Sequence, residues 1–529
     1  MKFRAGAVLL ISAAFASFAN AQNPSGPLNF SSVVERTPYL SFSNPSALSS
    51  FDTCRIAVAE VSAGKENGEV VSLSESSDSF SAGAYTESYG KMTGRLSYYG
   101  KLAYSYFQGN NMGGQILMDP LHSPVNFLES TLETAGTRKK ELYTLVGALS
   151  YKLSDAWAAG FRVDYEAGDY TKIKDPRFSN IWMDLGITAG VTLKPSKDFS
   201  LGLSLRWRNT LEQIKGSIFG TTDKQYFIFT DRGGFFGTVS ELDGDYNALP
   251  ASSYRPMSNT YLCGSVDAVF GGRFFNQLSA YYRSGYYGKK SSSTATFFEN
   301  KGLVASYDAV LLVPRGENLH RIFLNSTFEM MDNYENSFKY VTPVGQQTVV
   351  EYISQSKVLD RCDVSAALGY KWSRNVDGYC PDLEIGATLD FFSRFQTTTV
   401  YPVYRKHNYC NAGAEIFGAR SFSSGKNIFS LRLALTFLGG FGTPAQDGTY
   451  SQGASSSFKS YDECLNLQFE YDTAMRAGAC LGFTYTRLVS EKLALYASVS
   501  DRFAMLLTQP QYLGGRTRNC AVIAVGCNF

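Results

Sequence analysis

The chain has 529 residues, with 49 Lys and Arg against 47 Asp and Glu and a formal net charge of +2; its mean hydropathy is −0.15. That balance leaves no basic stripe for nucleic acid. Beyond the first residues no run approaches the ~18 consecutive apolar residues of a membrane-crossing helix.

The start reads as an export signal. Lys2 and Arg4 form a basic opening, Ala5 to Ala19 is apolar, and Ala19-Asn20-Ala21 is a small-x-small cleavage site. Cleavage there gives a mature chain from Gln22, without a cysteine for a lipid anchor, and leaves acids and bases balanced. Three segments are expected: a signal over 1–21, an N-terminal segment over 22–50 lying along the periplasmic end or inside a barrel, and a barrel over 51–529. Within the second segment, Asn44-Pro45-Ser46-Ala47-Leu48 resembles the Asn-Pro-Ala segment of fatty-acid-transporter-type outer-membrane barrels. It also reads as an ordinary Asn-Pro turn.

From Ile56 onward the chain reads as strand after strand. Candidates are 54–63, 81–108 (two strands), 140–153, 156–171, 181–194 and 198–213. They continue with 260–271, 274–289, 294–312, 318–338, 358–373, 382–398, 406–420, 426–439, 460–472, 474–488, 492–504 and 516–529. The segments 109–138 and 214–258 read as long loops, and 346–356 is ambiguous. The clearest hairpin is Ile181 to Arg208. Alternate residues from Ile181 to Leu193, and from Phe199 to Trp207, are apolar, with polar or small residues between. Side chains alternate across a strand, so each run has one oily and one polar face. Phe199 and Trp207 are about 27 Å apart at roughly 3.3 Å per residue, which after tilting covers most of the ~25 Å apolar band of a membrane barrel. The runs also exceed the ~5–6 residues usual in soluble sandwiches. Aromatics make up 14% of the chain, which suits interfacial girdles.

These patterns predict an all-β protein, a single antiparallel transmembrane β-barrel with an even number of strands near 16, within 14–18. The count does not close: 441–457 is extracellular counted forward and periplasmic counted back, and the error is placed near 346–356. At the C-terminus Ala521, Ile523, Val525, Cys527 and Phe529 alternate, and the terminal aromatic resembles the insertion signal read by the outer-membrane assembly machinery. Val525, Cys527 and Phe529 are its core.

The chain also resembles a family of uncharacterised outer-membrane β-barrel proteins from Bacteroidota. The features that carry this are the Tyr-Gly and Tyr-Ser-Tyr pattern within Gly90 to Gln108, Lys140-Glu141-Leu142-Tyr143, Asp175-Pro176-Arg177 before Asn180, and the tail ending in Phe529. The resemblance implies an outer-membrane location and one barrel domain, and no activity.

Candidate chemistry is sparse. His122, His320 and His407 lack ligand spacing, so no metal site, no cofactor and no enzyme is expected. The nine cysteines show neither a disulfide framework nor a zinc pattern. Cys520 and Cys527 fall on opposite faces of one strand; Cys362, Cys410 and Cys527 fall on lipid-facing positions; a Cys464–Cys480 bridge stays open. Asp243-Gly244-Asp245-Tyr246-Asn247 spaces oxygens like a calcium loop, but Ala248 and Tyr254 stand where that loop needs Gly and Glu. The main lead is inward-facing charge: Arg162, Asp164, Glu166, Arg206, Arg208, Arg361, Asp363, Lys371, Glu384, Asp390, Arg432 and Arg476. Such charges either set the field of a pore or pair across the lumen and brace the wall. Loops 109–138 and 214–258 are long enough to fold inward, and Asp175-Pro176-Arg177 is either a gate or a Pro-fixed turn. Expected partners are outer-membrane lipid, the assembly machinery and an unknown small solute. The readings are a pore or transporter for small solutes; alternatively a plugged barrel acting as a surface binding or structural protein, or a carrier of apolar compounds.

Overall fold

The computed structural model describes residues 28–529 except 54, 221–222, 243–248, 250–252, 292–293 and 452–457. The signal sequence and the calcium-like motif at 243–247 lie outside the described residues.

The chain opens with helix α1 (Phe30–Arg36), whose start is capped by the Asn29 side chain, and two single turns at Pro38–Ser41 and Pro45–Ser50. Among the described residues, twenty-two strands follow. The first eight are β1 (Arg55–Gly68), β2 (Asp78–Lys91), β3 (Leu96–Met112), β4 (Asn126–Glu129), β5 (Gly136–Lys152), β6 (Trp157–Lys172), β7 (Arg177–Leu193) and β8 (Phe199–Ser217). Next come β9 (Phe227–Asp231), β10 (Phe236–Glu241), β11 (Arg255–Phe270), β12 (Phe274–Ser291), β13 (Thr294–Arg315), β14 (Asn318–Val341) and β15 (Val349–Arg374). The last are β16 (Leu383–Val400), β17 (Val403–Ser424), β18 (Asn427–Thr449), β19 (Lys459–Ser460), β20 (Arg476–Ser490), β21 (Leu493–Leu506) and β22 (Thr517–Asn528), with helix α2 (Asp462–Thr473) between β19 and β20.

Eighteen of these strands form one closed antiparallel sheet, in which β22 pairs with β1 from Val58 opposite Asn528 to Gly68 opposite Arg518. Closure leaves no unpaired edge, which an apolar surround requires. The oily faces point outward: Leu201, Leu203, Leu205 and Trp207 on β8, and Phe429, Leu431, Leu433, Leu435 and Phe437 on β18, are all exposed. Aromatic rings mark the end of the band where β8, β11 and β12 turn, with Phe199 and Phe270 5.1 Å apart and Phe270 and Phe274 6.2 Å apart. At this end most turns are short, as at 271–273, 316–317 and 425–426, which is the periplasmic side in barrels of this kind.

The strand number is 18, even and at the top of the expected range of 14–18, and the parity error was not at 346–356. That segment is the outer part of β15, which with β14 runs far past the band. The misread segment is 460–472, which is helix α2. Leu465, Leu467, Phe469 and Tyr471 alternate like a strand, but Asp462 and Glu463 in the first turn favour a helix start. With 460–472 removed, the chain between β18 and β20 is one long outer connection. The expected loops are also not plain loops. Segment 109–138 carries β4, and 214–258 carries β9 and β10, which with β19 make a four-stranded sheet in the order β19-β10-β9-β4.

Two bodies therefore occupy the lumen. At the short-turn end, residues 28–53 fill the mouth: Phe30, Leu40, Leu48 and Phe51 pack on Ile56, Val58, Tyr89 and Val146 of the wall. At the other end the small sheet and its loops fold inward. Ile116, Phe127 and Ile228 pack on Phe178, Ile214 and Met257, while Leu128 and Phe229 pack with Leu73, Tyr461 and Cys464.

Candidate functional site

A cavity of about 720 Å³ lies between the inward-folded outer loops and the inner face of β14, β15, β16 and β17. The loops contribute Asp119, His122 and Asp231 to Phe235; the wall contributes Glu329, Asn333, Arg361, Asp363, Arg394, Gln396, His407 and Tyr409. Each wall residue reaches the lumen because period-2 alternation puts odd positions of β14, β15 and β17 and even positions of β16 on the inner face.

Ionic contacts run across this wall. Arg394 grips Asp363 with two hydrogen bonds of 2.8 Å. Arg361, almost fully buried, has its Nε 3.2 Å from Asp363 and its Nη2 3.8 Å from Glu329. Arg283 of β12 stands 2.8 Å from Glu329. His122 joins the loop to the wall: Nδ1 lies 3.0 Å from Asp119, Nε2 3.7 Å from Glu329, and its carbonyl accepts from Asn300 at 2.8 Å. Burial disfavours the His122 imidazolium, yet the Asp119 and Glu329 carboxylates outweigh it and hold its pKa above the ordinary imidazole value. On β9, burial pushes the Asp231 carboxyl up to about 6, although the Gly233 and Phe236 amides donate to it at 2.8 and 3.2 Å.

The inward charges named from the sequence fall into separate groups. Arg361 and Asp363 line the cavity. Arg162 and Arg206 both reach Asp164, at 2.7 and 3.5 Å, and Arg208 pairs with Asp184 at 2.7 Å. Glu166 accepts from Trp182 Nε1 at 3.0 Å. This second group braces β6, β7 and β8 and does not line this cavity. Lys371 lies 2.6 Å from Glu384 and 2.7 Å from Glu35, tying the wall to α1. Asp390 is exposed, and Arg432 sits 3.2 Å from Glu415. Asp390 and Arg432 are exposed and Glu415 half-buried, so the N-terminal segment, which fills the mouth, does not cover these deeper positions on β16, β17 and β18. Arg476 donates to the Tyr471 carbonyl at 3.3 Å, at the end of α2.

At the seam, Phe529 exchanges backbone hydrogen bonds of 2.8 and 2.9 Å with Ala57, its ring lies under Arg55, and Val525 is exposed on the outer face. Cys527, beside them, is a free thiol, as are Cys362, Cys410, Cys520, Cys464 and Cys480. The Cys464–Cys480 pairing assumed two neighbouring strands; Cys464 is instead buried on α2 and Cys480 lies on β20. His320 is far from the cavity, its Nδ1 2.8 Å from the Tyr370 hydroxyl. Asp175 lies in the outer turn between β6 and β7, bonded to Arg177 Nε at 2.9 Å and to the Phe219 amide at 3.3 Å. Among the described residues no three His, Cys, Asp or Glu side chains are grouped as metal ligands.

The sequence reading missed Glu329, Arg394, Gln396 and Asn333. Parity would have found Arg394 and Gln396, since they continue the inward series Glu384, Asp390 on the same strand. His122 and His407 approach one cavity only through the fold.

The fold and its contents define a class: a closed, membrane-type β-barrel whose lumen holds its own chain at both ends and keeps a cavity crossed by ion pairs on one flank. The chain belongs to a family of unknown function, DUF6850, whose model matches residues 45–529. No protein of curated function matches it. Among solved structures it is similar to the ferric preacinetobactin receptor BauA of Acinetobacter baumannii, at 9% identity and a TM-score of 0.39, over 90% of this chain and 81% of that one. It is also similar to a Pseudomonas aeruginosa FadL homologue, at 12% identity and a TM-score of 0.30, over 92% and 93% of the two chains.

Proposed function

We propose that this protein is a gated outer-membrane transporter that admits a small polar solute through the cavity beside β14–β17. The observation that carries this reading is the placement of the cavity, against inward-folded loops on one side and the open, charged lumen of Asp390, Glu415 and Arg432 on the same flank. A lumen stoppered by residues 28–53 argues against a permanently open pore. The ion pairs in the lining argue against a carrier of apolar compounds. The expected export signal over 1–21 and the terminal aromatic support residence in the outer membrane of a Gram-negative cell, in lipid, after insertion by the assembly machinery. No catalytic role is assigned to any residue.

Planar-bilayer conductance and liposome uptake test the proposal. The intact protein should be silent or rarely open, and removal of residues 28–50 should give frequent channels. Steady large conductance from the intact protein would show an ungated pore. Silence in both forms, with no uptake of any small solute, would leave the plugged binding protein as the better reading.

A further inference from the structure

The chemistry of the cavity selects among solutes. We infer that it binds a small neutral polyhydroxylated solute, a sugar of one to three rings, rather than an ion. This deepens the transporter reading and rests on it for treating the cavity as a substrate site.

The cavity's charged side chains already face opposite charges or hydrogen-bond donors, although Arg361 Nε and Glu329 Oε1 have ionic neighbours without a hydrogen bond. Arg394 holds Asp363 bidentately; Arg361 lies between Asp363 and Glu329; His122 faces Asp119 and Glu329. Arg232 grips Glu335 with two bonds of 2.6 Å, Asp231 takes two backbone amides, and Asp472 accepts from Gln468 at 3.1 Å. A charged guest would have to break one of these contacts and strand its partner, which costs more than a new pair returns.

Two buried carboxamides in the lining are left over. Gln396 is 6% exposed, and its Nε2 has no hydrogen-bond partner. Asn333 is 3% exposed; its Nδ2 donates to the Ser123 carbonyl at 3.3 Å, but its Oδ1 has no partner. Both line the cavity. Buried carboxamide atoms are costly to leave unpaired, and of those without a partner, which include Asn180 Oδ1 and Asn300 Oδ1, these two face the cavity, where a ligand's polar atoms can reach them. One is an orphan donor and the other an orphan acceptor. A hydroxyl can serve either, because it both donates and accepts; a carboxylate can only accept and an ammonium can only donate. The volume, about 720 Å³, falls inside the ~300–1,000 Å³ range of small-molecule sites.

The test is calorimetric titration of the full-length protein in a detergent without a sugar head group. The probes are glucose, maltose and raffinose, with citrate and spermidine as charged controls. At least one sugar should bind saturably, and neither charged probe should. Gln396→Ala and Asn333→Ala should each weaken sugar binding about three- to tenfold, the loss of one neutral hydrogen bond. Gln346→Ala, on the exposed β14–β15 turn, should leave it unchanged; circular dichroism and heat-modifiable gel mobility show that each variant is folded. No saturable heat from any sugar, tighter binding of citrate or spermidine, or unchanged sugar affinity in both cavity variants would each overturn the inference. Sugar binding without uptake in liposomes would instead remove the transporter reading and keep the site.

Discussion

Asn44, in the N-terminal segment, donates its carboxamide to the Asp267 carboxylate of β11 at 2.9 Å, and to the Val191 carbonyl and Thr192 hydroxyl of β7 at 3.2 and 3.3 Å. Its oxygen accepts from the Ser46 amide at 3.1 Å. One side chain thus fastens the inner stopper to two separated strands. Asn44→Ala would leave Asp267 buried without this donor, a penalty of roughly 1–3 kcal/mol. The expected outcome is faster proteolysis of residues 28–50 and a higher open probability in bilayers, with the barrel intact by circular dichroism.

The wall is carved to receive this turn. A Cβ on Gly190 would collide with the Asn44 side chain, with its Cγ at 3.0 Å and Pro45 Cδ at 3.1 Å. Gly190→Val should displace the segment while leaving the β-sheet content unchanged. Proteolytic clipping before residue 50, measured in outer-membrane vesicles, checks this.

Arg394 and Asp363 are both largely buried. Arg394→Leu would leave Asp363 with Arg361 alone, at 3.2 Å. Breaking a buried pair costs roughly 3–5 kcal/mol, whereas replacing both members by apolar groups is often near neutral. The single variant should therefore unfold at clearly lower temperature, but Arg394→Leu combined with Asp363→Leu should recover little of the loss, because buried Arg361 would keep only Glu329, at 3.8 Å. Thermal unfolding in detergent reads both.

The outer loops should loosen as pH rises. His122 has a raised folded pKa, so its contribution is complete below the ordinary imidazole value of about 6.5 and is lost as pH climbs through the folded value. Asp231 acts with the same sign at lower pH: the fold favours its protonated form, and its contribution declines as pH rises toward about 6. Hydrogen exchange over 113–125, corrected for intrinsic rates, should be faster at pH 8 than at pH 6. His122→Gln should flatten that difference.

Deleting Phe529 would remove both backbone hydrogen bonds to Ala57 at the closing seam. Folded barrel in the outer membrane, measured by heat-modifiable mobility, should fall several-fold. Restoration by Tyr at the same position would separate an aromatic requirement from mere chain length.

The wall was legible in the sequence because each of its strands answers to two solvents at once, lipid and lumen, so period 2 persists over a dozen residues or more. Leu201–Trp207 and Phe429–Phe437 carry that signal plainly. The contents of the lumen were not legible. Phe127, Ile228 and Phe229 have no lipid face and lie in short strands within polar loops, where they resemble isolated apolar residues. Helix α2 was read as a strand because Leu465, Leu467, Phe469 and Tyr471 keep period 2 and form no single apolar helix face. The cavity depends on which loop meets which wall, as with His122 of the 113–135 connection against Glu329 of β14, and no local pattern encodes that meeting.

The wall is also uneven in height. β14 and β15 have 24 and 26 residues, whereas β22 has 12. At roughly 3.3 Å per residue and a tilt of about 40°, β15 rises about 65 Å, against an oily belt about 25 Å tall. The molecule therefore stands in its bilayer like a jug with a tall lip on one flank. Anything drifting in from outside meets a curved screen on the side that holds the cavity, and a low rim opposite.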